Sequence, residues 1–238
     1  MKAAVIRFPG SNCDIDVLKV LDTMDNVEAD ILWYQESNLR EYDLIILPGG
    51  FSYGDYLRAG SIAAHTPILD EIKKAARQGK AILGICNGFQ ILSESQLLPG
   101  TLLRNSGMKF ICSWVRLRVE NNNTVFSSLT PKGSFLRMPI AHNEGRFYLP
   151  DEELNELIEK NCVVYRYVDE EGHPSEKANP NGSLNNIAGI CNEDGNVVAL
   201  MPHPERASES ILSPYGSKDG LLMFESALQY LSLRCDHP

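Results

Sequence analysis

The sequence lacks a C-x-x-C pair. Its six cysteines, Cys13, Cys86, Cys112, Cys162, Cys191 and Cys235, are scattered through 238 residues. A zinc knuckle or a dithiol redox motif is therefore not expected, and each thiol has to be judged by its own surroundings. No apolar run approaches the roughly 18 residues that a membrane helix needs. The opening MKAAVIRFPG has too short an apolar stretch for a secretion signal, and Arg7 interrupts it. These absences predict a cytoplasmic protein with reduced thiols. Basic residues are in deficit, 22 Lys and Arg against 31 Asp and Glu, for a formal net charge of −9. Nucleic acid and anionic membrane both call for a basic surface, so neither is an expected partner. There is no G-x-x-x-x-G-K-[ST] loop, so the chain carries no cradle of that kind for nucleotide phosphates. Internal repeats and low-complexity linkers are also missing, which predicts one domain over residues 1–238.

What is present alternates. Buried-type strands are predicted at 2–8, 28–34, 43–50 and 80–86, and helical spacing at 14–24, 67–80 and 87–98. That β–α order predicts a largely parallel sheet covered on both faces, in a flavodoxin-like three-layer α/β sandwich. After Pro99-Gly100 the pattern turns antiparallel. Strands are expected at 110–120, 133–142 and 162–168, a helix at 151–161, two strands within 186–202, and a final helix at 218–232. Residues 169–185 are polar and turn-rich and predict an exposed loop.

The tetrapeptide Gly-Ile-Cys-Asn occurs twice, at 84–87 and 189–192. The flanks separate the copies. Around Cys86 the order is strand, Gly84-Ile85-Cys86-Asn87-Gly88, helix, which is the arrangement of a nucleophile elbow. The turn sets the sulfur at a helix N-terminus, where the dipole favours negative charge. The Asn87 N–H can then face an oxyanion beside it. Around Cys191 the chain runs into Glu193-Asp194-Gly195-Asn196, a hairpin signal. No helix follows, so Cys191 is expected to pack as a small apolar residue.

A cysteine nucleophile needs a base. Of the five histidines, His173 lies in the polar loop, His237 is next to the chain end, and His65 sits at a helix boundary. His142 and His203 each follow a predicted strand, where active-site residues of open α/β sheets gather. MPHPER (201–206) favours His203. Its two prolines impose extended geometry, so His203 and Glu205 project to one side and can hydrogen-bond. A cysteine hydrolase or chaperone-like protein with a similar elbow is the alternative enzyme class; the non-enzymatic alternative is an assembly subunit that has lost catalysis.

LPGGFSYGD, GICNGFQ and MPHPER, in this order, resemble the class I (triad) glutamine amidotransferases. PGSNCD (9–14), PGGFSYGDYLRAG (48–60), RNSGMKFIC (104–112) and AHNEGRFY (141–148) extend the resemblance over nearly the whole chain, toward the glutaminases of purine biosynthesis. The resemblance implies Cys86 as nucleophile, His203 as general base and acid, and Glu205 as the orienting carboxylate. It implies backbone N–H groups of Gly50 and Asn87 as the oxyanion hole, and Gln90, His142 and Asn143 as contacts to the substrate, glutamine. No cofactor is implied on this chain. ATP and Mg are expected on a separate synthetase subunit that amidates formylglycinamide ribonucleotide (FGAR), with a small third subunit as a further partner. The PGSNCD and FSYGDYLRAG segments are expected to be exposed loops facing the synthetase.

Overall fold

A computed structural model of the protein describes residues 1–36 and 38–235. Eleven strands and five α-helices alternate along it. In the first half these are β1 (Lys2–Arg7), α1 (Asp14–Asp22), β2 (Glu28–Trp33), β3 (Leu44–Leu47), α2 (Ile68–Arg77), β4 (Ala81–Ile85) and α3 (Asn87–Glu94). The second half contains β5 (Thr101–Leu103), β6 (Ile111–Val119), β7 (Phe135–His142), β8 (Arg146–Tyr148), α4 (Asp151–Glu159), β9 (Val163–Tyr167), β10 (Ile187–Cys191), β11 (Val197–Leu200) and α5 (Leu221–Cys235).

Nine strands form one sheet in the order β2-β1-β3-β4-β11-β10-β9-β6-β7. The pairings from β2 to β11 are parallel, and those from β11 to β7 are antiparallel. The expected mixed α/β sheet is therefore what the chain forms. Sequence pattern explains the division. β3 (LIIL), β4 (AILGI) and β11 (VVAL) are apolar throughout and buried throughout, as strands covered on both faces must be. α1 packs on β1 and β2, and α3 on β3, β4 and β11. β7 instead alternates buried and less buried residues, the mark of a sheet with one face toward the core.

Two expectations fail. The segment 169–185 is not exposed throughout: Asn181 and Ser183 are buried, and both bond to the Gly145 carbonyl, Asn181 Nδ2 at 2.8 Å and Ser183 Oγ at 3.3 Å. Polar composition here reflects bonding to backbone rather than to water. PGSNCD is likewise only partly exposed, because Cys13 and Asp14 are 2% and 3% exposed. A small second sheet, β5 with β8, was not foreseen.

Candidate active site

Register builds the site. β4 and β11 run parallel, with Ile85 beside Leu200. The chain segments beyond both strands therefore leave the sheet at the same edge, the carboxyl edge where open α/β sheets place their ligands. The first residue past β4 is Cys86, and the third past β11 is His203. Cys86 N–H bonds to Leu200 O at 2.8 Å, and His203 N–H to Pro139 O of β7 at 2.8 Å.

Cys86 adopts φ 49°, ψ −101°, a conformation unfavourable to any residue with a Cβ, and it directly precedes α3. Neighbouring glycines make the turn possible. A Cβ on Gly88 would lie 2.0 Å from Leu47 O, so nothing larger fits between α3 and β3. The Asn87 N–H opens α3 and has no intrahelical acceptor. Asn87 Oδ1 accepts from Ser52 N–H at 3.1 Å, which ties the elbow to the segment after Gly50. Gly50 has φ 154°, and a Cβ there would meet Ser11 Cα at 2.7 Å and Gly10 O at 2.8 Å.

His203 Nδ1 and Glu205 Oε1 are 2.6 Å apart, both residues 2% exposed. Burial alone would lower the histidine's proton affinity. The Glu205 carboxylate, then Cys86 and Cys13, reverse this and hold His203 well above its ordinary value. The Cys86 sulfur is close enough to bias that ionisation, but Nε2 has no hydrogen bond of good geometry. Cys86 Sγ instead points to Ala141 O at 3.8 Å. Loose contacts of this kind are common in unliganded sites and tighten with substrate.

Gln90 and His142 are buried against the same site. Gln90 receives a hydrogen bond from Asn87 Nδ2 at 2.8 Å and donates to Glu144 O at 2.6 Å. His142 is held down at about 4, by burial first and then by the His203 charge, so it is a neutral ring at physiological pH. Its Nδ1 lies 3.0 Å from Asn105 Oδ1, while Nε2 is unpartnered. Asn143 is half-buried, and its carbonyl accepts Asn105 N–H at 2.9 Å. Asn105 thus braces the AHNEG segment through two bonds more, to His142 O and Gly145 N–H, while its Nδ2 also donates to Lys109 O. It lies in the RNSGMKF motif, and its bracing role was missed because its partners in AHNEG are 37 to 40 residues away.

The other histidines are elsewhere. His65 is exposed and bonds to Ser61 O at 2.8 Å, His173 is exposed, and His237 lies outside the described residues. Cys191 is buried at 2%, N–H bonded to Cys162 O at 2.8 Å, in the β10–β11 hairpin. Its thiol is pushed far up by contact with Cys162 and by burial, opposite to what a nucleophile needs.

An elbow cysteine beside a histidine–carboxylate pair, at the carboxyl edge of an α/β sheet, is the arrangement that a cysteine nucleophile with a histidine base requires, and it points to the class of cysteine-dependent acyl-transfer enzymes. The chain belongs to the CobB/CobQ-like glutamine amidotransferase domain family, whose model matches residues 1–231. It is 57% identical over 232 residues to the phosphoribosylformylglycinamidine synthase subunit PurQ of Methanosarcina acetivorans, covering 98% of this chain and 99% of that one. The Aquifex aeolicus protein of the same name is 52% identical over 228 residues, covering 96% and 99%. Among solved structures, a chain of PurLQS from Thermotoga maritima superposes with a TM-score of 0.84 at 49% identity, covering 97% of this chain and 98% of that one.

Proposed function

We propose that this chain is the glutaminase subunit of phosphoribosylformylglycinamidine (FGAM) synthase. It hydrolyses glutamine to glutamate and ammonia, and the ammonia is used by a synthetase subunit to convert FGAR to FGAM in purine biosynthesis. Relatives covered over 99% of their length are named as the PurQ subunit of that synthase, and one structural neighbour is a chain of PurLQS. The synthetase subunit and a small third subunit are accordingly its partners. ATP and Mg belong to the synthetase, and the cytoplasm is the compartment where such an assembly works. No helix among the described residues is long and apolar enough to cross a membrane.

The observation that carries the mechanism is the buried His203–Glu205 pair beside the elbow cysteine. Cys86 sulfur attacks the carboxamide carbon of glutamine. Gly50 and Asn87 backbone N–H groups receive the oxyanion, each worth roughly 10²–10³ in rate for a donor of this kind. His203 gives its proton to the departing ammonia, leaving a glutamyl thioester on Cys86. His203 then takes a proton from water, which attacks the thioester and releases glutamate. Glu205 holds the ring in orientation and stabilises its charged form throughout. Gln90, His142 and Asn143 line the substrate side.

The test uses two cysteine variants that share the same tetrapeptide. Cys86→Ala abolishes glutamine-dependent FGAM formation, while the assembled enzyme still works with ammonium salts. Cys191→Ala leaves both activities close to wild type. Loss of both activities in Cys86→Ala, or a large fall in Cys191→Ala, would defeat the assignment.

A further inference from the structure

The triad leaves Cys13 and Arg206 unexplained. Arg206 Nη2 donates to Cys13 Sγ at 3.0 Å, across 193 residues of sequence. The Cys13 thiol donates to Asn12 Oδ1 at 3.2 Å. Arg206 Nε lies 3.9 Å from Glu205 Oε1 and 3.6 Å from Asp16 Oδ2. Cys13 Sγ, a His203 ring nitrogen and a Glu205 oxygen all lie within 4.8 Å of one another. Gly49 closes over the same ring: a Cβ there would come within 2.6 Å of His203 Cε1 and 3.0 Å of Cys13 Sγ. Three such donors have the spacing of a soft-metal site. The guanidinium on the sulfur, however, sets a fixed positive charge against any cation, so the set does not suit a metal.

We propose that Cys13 and Arg206 are positioning residues for His203, a claim that rests on reading His203 as the general acid and base. Cys13 fills the space beside the imidazole and offers its sulfur lone pairs to the charged ring. Arg206 holds that sulfur in place and sets a positive charge beside Glu205. The same segment also fixes an oxyanion donor. Cys13 N–H bonds to Gly49 O at 3.2 Å, and Phe51 N–H to Gly10 O at 2.9 Å, so PGSNCD clamps the Gly49–Gly50 turn from both sides. Base and oxyanion amide thereby share one support. Burial keeps the Cys13 thiol up, more than its contact with His203 pulls it down. Cys13 is neutral and does not compete with Cys86 as nucleophile.

The two residues bias His203 in opposite directions. Cys13 favours the protonated ring. Arg206 draws on Glu205 and disfavours it. The other groups facing the ring are Glu205, Cys86 and His142; Asp16 faces Arg206 from α1. Because His203 must hold a proton for ammonia to leave, activity falls on the alkaline side as that proton is lost.

The experiment measures glutaminase kcat and KM across pH in the assembled enzyme. Cys13→Ala lowers kcat about tenfold with KM little changed, and moves the alkaline limb down by about half a pH unit, as loss of one hydrogen-bonding neighbour would. Arg206→Met moves the same limb upward. Cys13→Ser, which restores a polar atom, recovers most of kcat. General structural damage does not move a pH limb in opposite directions in two variants. An unmoved limb in Arg206→Met overturns the proposal even if Cys13→Ala fails to fold. Shifts of the same sign, or an unchanged kcat in Cys13→Ala, overturn it equally. Full glutaminase activity in Cys86→Ala would instead remove the reading beneath it.

Discussion

His142 shows how a single side chain writes a pH dependence into the fold. An unfolded histidine titrates near 6.5, whereas His142 is held at about 4 by burial and by His203. Between those values the unfolded chain binds a proton that the folded one refuses. Stability from this group is therefore complete above about 6.5, declines as pH falls, and is gone by about 4; the full difference is about 3 kcal/mol. His142→Asn keeps a partner for Asn105 but cannot titrate. Urea melts at pH 7 and pH 4.5 are expected to show wild type losing about 2–3 kcal/mol more than this variant. Equal losses would mean that His142 is protonated in the fold. At this scale some residues were legible in the sequence and others were not. Cys86 and the His203–Glu205 pair were readable because their signals are local: glycines one turn apart, and a histidine two residues before a glutamate. Even so, His203 alone is extended, and Pro204–Ala207 winds into a 3-10 turn instead of the extended chain expected. Cys13 and Asn105 were not, because a thiol or an amide announces nothing until a distant ring or carbonyl is brought beside it.

The elbow is where elements, rather than residues, determine the site. α3 approaches β3 and β4 so closely that side chains are excluded between them: a Cβ on Gly84 would meet Leu92 Cδ1 at 2.6 Å, and one on Gly88 the Leu47 carbonyl at 2.0 Å. Backbone cannot yield as a flexible side chain can. Gly88→Ala is expected to cost about 3 kcal/mol or more. Gly107→Ala, whose Cβ would meet nothing within 4 Å, should be close to neutral in the same urea titration. A mild effect of Gly88→Ala would mean that α3 can retreat from the sheet without loss. Elements with strong periodicity were legible in advance, including the β10–β11 hairpin, whose Gly195 takes φ 70°. β5 and β8 were not, since each has three residues and Thr101 finds Tyr148 far along the chain. The buried end of the 169–185 loop was hidden for a related reason. Asn and Ser read as turn formers, and only the fold supplies Gly145 O as their acceptor.

On the scale of the whole molecule, the triad is closed while one flank of it is unusually apolar. Cys86, His203 and Glu205 are 4%, 2% and 2% exposed, so the chain by itself offers glutamine little access to the sulfur. Beside them the chain from 51 to 57 is held in an uncomfortable shape, with positive φ at Tyr53, Asp55 and Leu57. Each such residue costs on the order of 1 kcal/mol or more. Burial and Glu144 push the Asp55 carboxyl up to about 6. Leu57 is 87% exposed and Tyr56 75%, with Phe51, Met108 and Phe110 also exposed and the Phe51 and Phe110 rings 6.4 Å apart. An apolar group of this kind on a chain of net charge −9 is suited to burial against the synthetase subunit. It is also mechanically connected to catalysis, since Gly50 directly precedes the segment and Ser52 N–H bonds to the Asn87 side chain. With Gly50 and Asn87 as the proposed oxyanion donors, the expected outcome is that docking on Tyr56 and Leu57 acts on both amides, so that the glutaminase runs slowly alone and accelerates when assembled. Leu57→Glu separates docking from chemistry. It should leave the melting temperature and the slow rate of the isolated chain unchanged, while cutting stimulation by the synthetase at least tenfold at fixed subunit concentration, the effect of placing a charge in an apolar contact. Undiminished stimulation would place the gate elsewhere on the surface; a lost basal rate would mean that the segment shapes the active site directly rather than through its partner.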